Sequence, residues 1–316
     1  MKSHTATLQI ASAFLLFVSC VGEATGRESQ HESTNKIQVV ASTPILADWI
    51  QQIGGERVSV SSIIPHSTNP HSYRPGARDI AHITRSTLVF TVGLNYEDTW
   101  LSKLLTSHEK LKRVVLGDIV LPIEIQTHKD ESNNEHQELE HPGKFDPHFW
   151  FDPSRVLLAT EAIATSLSTM DPGGGPYYMG RFNTYRSKLN ALDNHLFTEF
   201  EKLPSNRRIV MTEHESLQYL GDRYQIDILR SVIPDVNSTA SPTPKDLATA
   251  INTVREQNVA VIFVEKESVG SFAKQVARET GVKIATGLTV ETLTQDQTYI
   301  DFMRYNLDVL IDNLSR

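Results

Sequence analysis

From Tyr177 to Leu203 the chain carries no proline and, after Gly180, no glycine, although the breaker DPGGGP (171–176) lies before it and Pro204 after it. At about 1.5 Å per residue a helix over that stretch reaches roughly 40 Å, the length of a whole domain. Such a helix reads as a spine between two lobes. The expected division is therefore an N-terminal lobe over 37–172, a linking helix over 173–203 and a C-terminal lobe over 204–316.

On both sides of the spine, strand-like and helix-like stretches alternate. IQVVAST precedes the helical PILADWIQQIGG, whose Pro44 sits where a first turn tolerates it. RVSVSSII is a strand by its β-branched content, ARDIAHITRS a helix, TLVFTV and RVVL further strands, with the amphipathic EDTWLSKLLTSH between those two. SRVLLATEAIATSLSTM leads as a helix toward the spine. Beyond it come RRIVMT, the helical HESLQYLGDRY, QIDILRSV, a helix from Pro244 to Gln257, VAVIFV, a helix near Ser271, VKIA and a final helix from Tyr299. Strand and helix in alternation point to an α/β fold in two lobes, each a mainly parallel sheet flanked by helices. The halves share only this alternation, with no repeat at the residue level.

Residues 1–20 read as an export signal, with Lys2 at its start and an apolar run from Leu8 to Ser19 too short to span a bilayer. The run ends in Phe17-Val18-Ser19-Cys20, similar to a bacterial lipobox, with phenylalanine where leucine is usual. Cys20 is the expected point of lipid attachment; the alternative is a soluble, released protein. It is the only cysteine of the 316 residues, so no intrachain disulfide can form. Residues 21–36 contain almost nothing apolar and read as a tether. A net charge of −8 and the lack of a basic cluster argue against nucleic acid, and a small cation is the more natural guest.

The histidines narrow the chemistry. In FDPHFWFDP (145–153), His148 sits between two prolines and beside three consecutive aromatic residues. Each proline fixes its own φ and drives the residue before it, Asp146 or Asp152, toward an extended backbone, so the imidazole is carried on a stiff strip. A core histidine in an aromatic turn is the competing reading. His71 in NPHSYRP follows a strand, His214 lies in MTEHESLQYL, and His128, His136 and His141 fall in the acidic run THKDESNNEHQELEHP. His66 and His82 lack such constraint, and His82 is expected on a helix surface. Several neutral imidazoles suit zinc and its transition-metal neighbours, with affinity falling as pH drops past about 6. Glu213-His214-Glu215 lacks the second histidine of HExxH, and no G-x-S-x-G elbow occurs, which argues against a hydrolase.

From Val39 onward the chain resembles the metal-binding receptors of bacterial zinc and manganese ABC importers, a group that includes streptococcal lipoprotein adhesins. The resemblance rests on IIPHSTNPHSYRPGARDIAHI with TLVFTVGLNYEDTWL, then DPHFWFDP, then MTEHESLQYLGDRY, then TYIDFMRYNLDVLIDNL, in that order. It implies two α/β lobes joined by one long helix, with the metal clamped between them and one ligand from each motif: His71, His148 and His214, and a fourth in GLTVETLT. There the family has aspartate and this chain has Glu291, with Asp296 nearby as a substitute. His71, His214 and Glu291 all follow predicted strands, as open α/β sheets favour for ligand binding. A histidine at the third position, where manganese members carry a carboxylate, implies Zn2+ ahead of Mn2+ or Fe2+. His128, His136 and His141 resemble the auxiliary metal-gathering loops of zinc members. The resemblance implies an extracytoplasmic receptor, in the periplasm or at the cell surface, monomeric, lipid-anchored through Cys20 and delivering metal to an inner-membrane ABC permease. A manganese or iron receptor and an adhesin are the alternatives on the same scaffold, and a zinc-dependent hydrolase is a more distant one.

Overall fold

The computed structural model describes residues 36–70, 72–97, 101, 111–125, 144–212, 216–229, 243–266 and 270–315. The export signal, the tether, most of EDTWLSKLLTSH and the acidic run that holds His128, His136 and His141 lie outside these. Two four-stranded parallel sheets organise the chain. The first comprises β1 (Ile37–Ala41), β2 (Val58–Ser62), β3 (Leu88–Thr91) and β4 (Arg113–Val115), in the order β2-β1-β3-β4. The second comprises β5 (Ile209–Thr212), β6 (Asp227–Leu229), β7 (Val261–Glu265) and β8 (Lys283–Leu288), in the matching order β6-β5-β7-β8. In each sheet the second strand lies on one side of the first and the third on the other. That reversal opens a crevice at the carboxyl ends of the strands, where open α/β sheets bind ligands.

Helices α1 (Pro44–Gly54), α2 (Ala77–Arg85), α3 (Pro153–Met170), α4 (Gly175–Glu201), α5 (Gln218–Tyr224), α6 (Pro244–Glu256), α7 (Ser271–Thr280) and α8 (Tyr299–Leu314) surround the sheets. Their starts follow from local chemistry. The Thr43 hydroxyl accepts the Leu46 N–H ahead of Pro44, Asp152 caps α3 ahead of Pro153, and Thr243 and Thr298 form reciprocal capping boxes with Asp246 and Asp301. Helix α5 begins at Gln218, later than HESLQYLGDRY suggests, since Ser216 is not helical and Leu217 is the N-cap. No helix among the described residues is long and apolar enough to cross a membrane.

The linking helix α4 runs for 27 residues and buries Tyr178, Phe182, Tyr185, Leu189, Leu192, Leu196 and Phe200, a single stripe at helical spacing along its whole length. That stripe seals a core shared by both halves: Val39, Ala41 and Phe90 from the first sheet, Val210, Val261 and Phe263 from the second, and Leu307 and Leu310 from α8 form one cluster with it. Strand alternation separates the faces. In β7, Val261 and Phe263 enter the shared core while Ile262 and Val264 pack outward with Val254 and Val276. The spine is thus a wall of the shared core as well as a connector.

Candidate metal centre

The strip that carries His148 is held by hydrogen bonds as well as by its prolines. Asp146 Oδ1 accepts both the His148 backbone N–H (2.8 Å) and the ring Nδ1–H (2.7 Å). The Asp146 carbonyl accepts from the Tyr219 hydroxyl at 2.6 Å, and that same hydroxyl takes the Ile123 N–H at 3.1 Å. Past His148, Phe149–Phe151 form one 3-10 turn, fully buried, and Asp152 before Pro153 is extended as expected. Trp150 ties the turn to the second half of the chain: its indole N–H donates to the Val290 carbonyl and its own carbonyl accepts from the Tyr299 hydroxyl, each at 2.8 Å. The Trp150 ring meets the His148 ring edge to face at 5.3 Å.

His148 is fully buried, and its Nε2 faces Glu291 Oε1 at 3.2 Å. Glu291 lies just beyond the end of β8, only 7% exposed, so it is not a solvated loop glutamate. Asp296, the substitute considered for it, is exposed in a left-handed turn (φ 63°) and does not take its place. The loop bearing Glu291 also meets the loop after β2: the Ser67 N–H donates to Thr292 Oγ1 (3.1 Å) and to the Leu293 carbonyl (3.0 Å). Sequence places Ser67 four residues before His71. His71, His214, Cys20, His128, His136 and His141 themselves lie outside the described residues, and His66 and His82 are exposed.

Burial acts to lower the His148 pKa, yet the nearby Asp146 charge and the hydrogen bonds to Asp146 and Glu291 outweigh it and push it up to about 10. At neutral pH the ring is therefore an imidazolium between two carboxylates. Asp146 fixes the proton on Nδ1, which leaves Nε2 as the ring atom that could exchange a proton for a metal ion. The spacing fits such an exchange. Two ligand atoms about 2.1 Å from a tetrahedral ion lie roughly 3.4 Å apart, close to the 3.2 Å between Nε2 and Oε1. Among the described residues no group of three or more histidine, cysteine, aspartate or glutamate side chains is placed to hold a metal; His148 and Glu291 are a pair that could contribute two donors.

Sequence reading missed several supporting residues. Asp146 was legible in principle, since an aspartate two residues before a histidine is poised for this turn. Glu97, in GLNYEDTW, is buried and accepts the N–H groups of Val92 (2.6 Å) and Gly93 (2.9 Å) at the end of β3. Tyr96 packs against Trp150 at 5.8 Å; its phenol is pushed well up by burial and by the charges of Glu291 and Glu97.

The family described as zinc-uptake complex component A, periplasmic (ZnuA) matches residues 39–313. The manganese ABC transporter substrate-binding lipoprotein PsaA of Streptococcus mitis is 26% identical over 98% of this chain and 99% of its own length. The manganese-binding lipoprotein MntA of Halalkalibacterium halodurans is 27% identical, end to end in both. Among solved structures, the manganese-bound periplasmic metal-binding protein of Candidatus Liberibacter asiaticus superposes with a TM-score of 0.75 at 26% identity, covering 87% of this chain and 98% of that one. The periplasmic zinc-binding protein TroA of Treponema pallidum, at 22% identity and a TM-score of 0.76 over 89% of this chain and all of its own, shares the fold. With all but its ends matched, the chain belongs to the ZnuA family, the metal-binding receptors of ABC importers, which carry their cargo and catalyse no reaction.

Proposed function

We propose that this receptor captures zinc at the carboxyl ends of its two sheets and delivers it to the permease of its importer. The observation that carries the reading is the buried His148, its Nδ1 committed to Asp146 and its Nε2 opposed by Glu291 at 3.2 Å. Metal entering there displaces the Nε2 proton, so the cation that neutralises Glu291 changes from imidazolium to metal ion. His71 and His214 complete the ligand set in this proposal, giving three imidazole nitrogens and one carboxylate oxygen. That set is nitrogen-rich and four-membered, the composition that suits zinc and closes its coordination sphere against chemistry on the cargo. His128, His136 and His141 serve as weak auxiliary ligands. Cys20 carries a lipid that tethers the monomer outside the cytoplasm, a reading supported by the lipoprotein names of PsaA and MntA.

Manganese is the second reading, favoured by the metal in the names of those two relatives and in the Liberibacter structure. Competition titration of protein purified without added metal separates the two. Zinc is expected to exclude manganese at comparable concentration, and His214→Glu, which exchanges nitrogen for oxygen, to narrow the gap. Displacement of zinc by equimolar manganese would overturn the zinc assignment.

A further inference from the structure

We infer that Asn306 is a positioning residue for the metal site: its carboxamide grips the backbone of Thr289, and through it sets the direction from which the Glu291 carboxylate meets His148. The inference rests on the reading of Glu291 as a ligand.

Asn306 lies inside α8 with 1% of its surface exposed, on a face otherwise formed by Phe302, Met303, Leu307 and Leu310. Packing alone would place leucine or methionine there, since asparagine is a poor helix former and an unsatisfied buried amide is costly. The carboxamide is instead used at both ends on one residue. Its Oδ1 accepts the Thr289 N–H at 3.0 Å, and its Nδ2 donates to the Thr289 carbonyl at 2.8 Å.

This is the pairing that a neighbouring strand would give, and it occurs where the sheet stops giving it. β8 is the edge strand, its register with β7 shifts near Glu265, and pairing ends at Leu288. Gly287, at φ 115°, bends the chain as it leaves the sheet. Asn306 therefore extends the ordered backbone one residue beyond the strand, to within two residues of Glu291.

Holds on this loop from the first half of the chain include Trp150 Nε1 on the Val290 carbonyl and the Ser67 N–H on Thr292 and Leu293. Asn306 is a hold contributed by the same half as β8, at the point where the loop leaves the strand. It keeps the carboxylate's approach fixed independently of contacts across the seam.

Full-length Asn306→Leu removes both bonds, and Asn306→Asp keeps the shape while setting a carboxylate oxygen against the Thr289 carbonyl. Zinc affinity is read by chelator competition, coordination by the visible absorption of the Co2+-loaded protein, and folding by melting of the metal-free protein. Both variants are expected to lose about 10- to 100-fold in zinc affinity, the usual cost of disturbing a residue that orients a ligand, with an altered Co2+ spectrum. If Asn306→Leu does not fold, Asn306→Asp carries the test. A lowered melting temperature with unchanged affinity and Co2+ spectrum would make Asn306 a core residue only and overturn the inference. Glu291→Ala, measured alongside, separates the two readings. If it leaves affinity unchanged, the ligand assignment fails and the inference falls with it; if it weakens zinc while the Asn306 variants do not, the inference alone fails.

Discussion

The loops after β3 and β8 each bury a glutamate, and the two carboxylates are turned to different partners. Glu97 faces back onto its own strand end and takes the N–H groups of Val92 and Gly93. Burial raises its pKa, while the nearby Ser42 hydroxyl, the hydrogen bonds from Gly93 and Val92 and the charge of Arg113 oppose that rise. Glu291, also buried, faces the ring of His148. Burial alone does not mark a ligand. A carboxylate engaged by fixed backbone donors serves its loop, whereas one neutralised by a titratable imidazolium can exchange that proton for a metal ion.

The largest effect is expected from His148→Ala, which removes the cation between Asp146 and Glu291. Zinc affinity should fall by more than about 100-fold, beyond the usual cost of losing an orienting residue. The metal-free protein should lose roughly 3 kcal/mol in urea unfolding, because two buried carboxylates lose their partner. Glu291→Ala should weaken zinc less than that, since water can fill the vacated position while the hydrogen-bonded strip of His148 cannot shift. Glu97→Ala should invert the pattern: about 2 kcal/mol of stability lost through two stranded N–H groups, with zinc affinity changed by no more than about threefold. Zinc binding as sensitive to Glu97 as to Glu291 would erase the distinction between the loops.

pH sharpens the same contrast. The folded His148 pKa of about 10 lies above its ordinary 6.5. The imidazolium therefore contributes stability that is fully present below about pH 6.5 and is lost as pH rises through about 10. Metal-free protein should melt at lower temperature as pH is raised from about 7 to 10, while zinc affinity climbs by up to about tenfold per pH unit over that window. The sequence alone placed the loss of affinity near pH 6; Asp146 and Glu291 extend the competition upward by stabilising the proton. Calorimetry in buffers of different ionisation enthalpy should show a proton released with each zinc, and a flat response between about pH 7 and 9 would break the exchange. The smallest effect is expected from deleting residues 129–140, which should leave the tight zinc event intact and lower only the total metal bound.

Much of the fold was readable because its signals are local. β-branched runs marked the strands, Pro44 and Pro244 marked the starts of α1 and α6, and the missing breakers marked α4. The shared core was not readable, since the stripe from Tyr178 to Phe200 shows that α4 buries one face without showing what both sheets press against it. At the site, the motif gave His148 and Glu291, but not that they face each other across 143 positions of sequence. Asp146 left a short-range trace two residues away. Asn306 left none, because its partner Thr289 lies 17 residues back and the pairing depends on how α8 lands on the end of β8.

The most direct test is anomalous diffraction at the zinc edge from crystals of the zinc-loaded full-length protein. The expected result is one strong peak about 2.0 to 2.2 Å from both His148 Nε2 and Glu291 Oε1, with Asp146 still on Nδ1 and His71 and His214 completing the sphere. A zinc ion bound elsewhere, with His148 Nε2 still paired to Glu291 Oε1 at 3.2 Å, would contradict it.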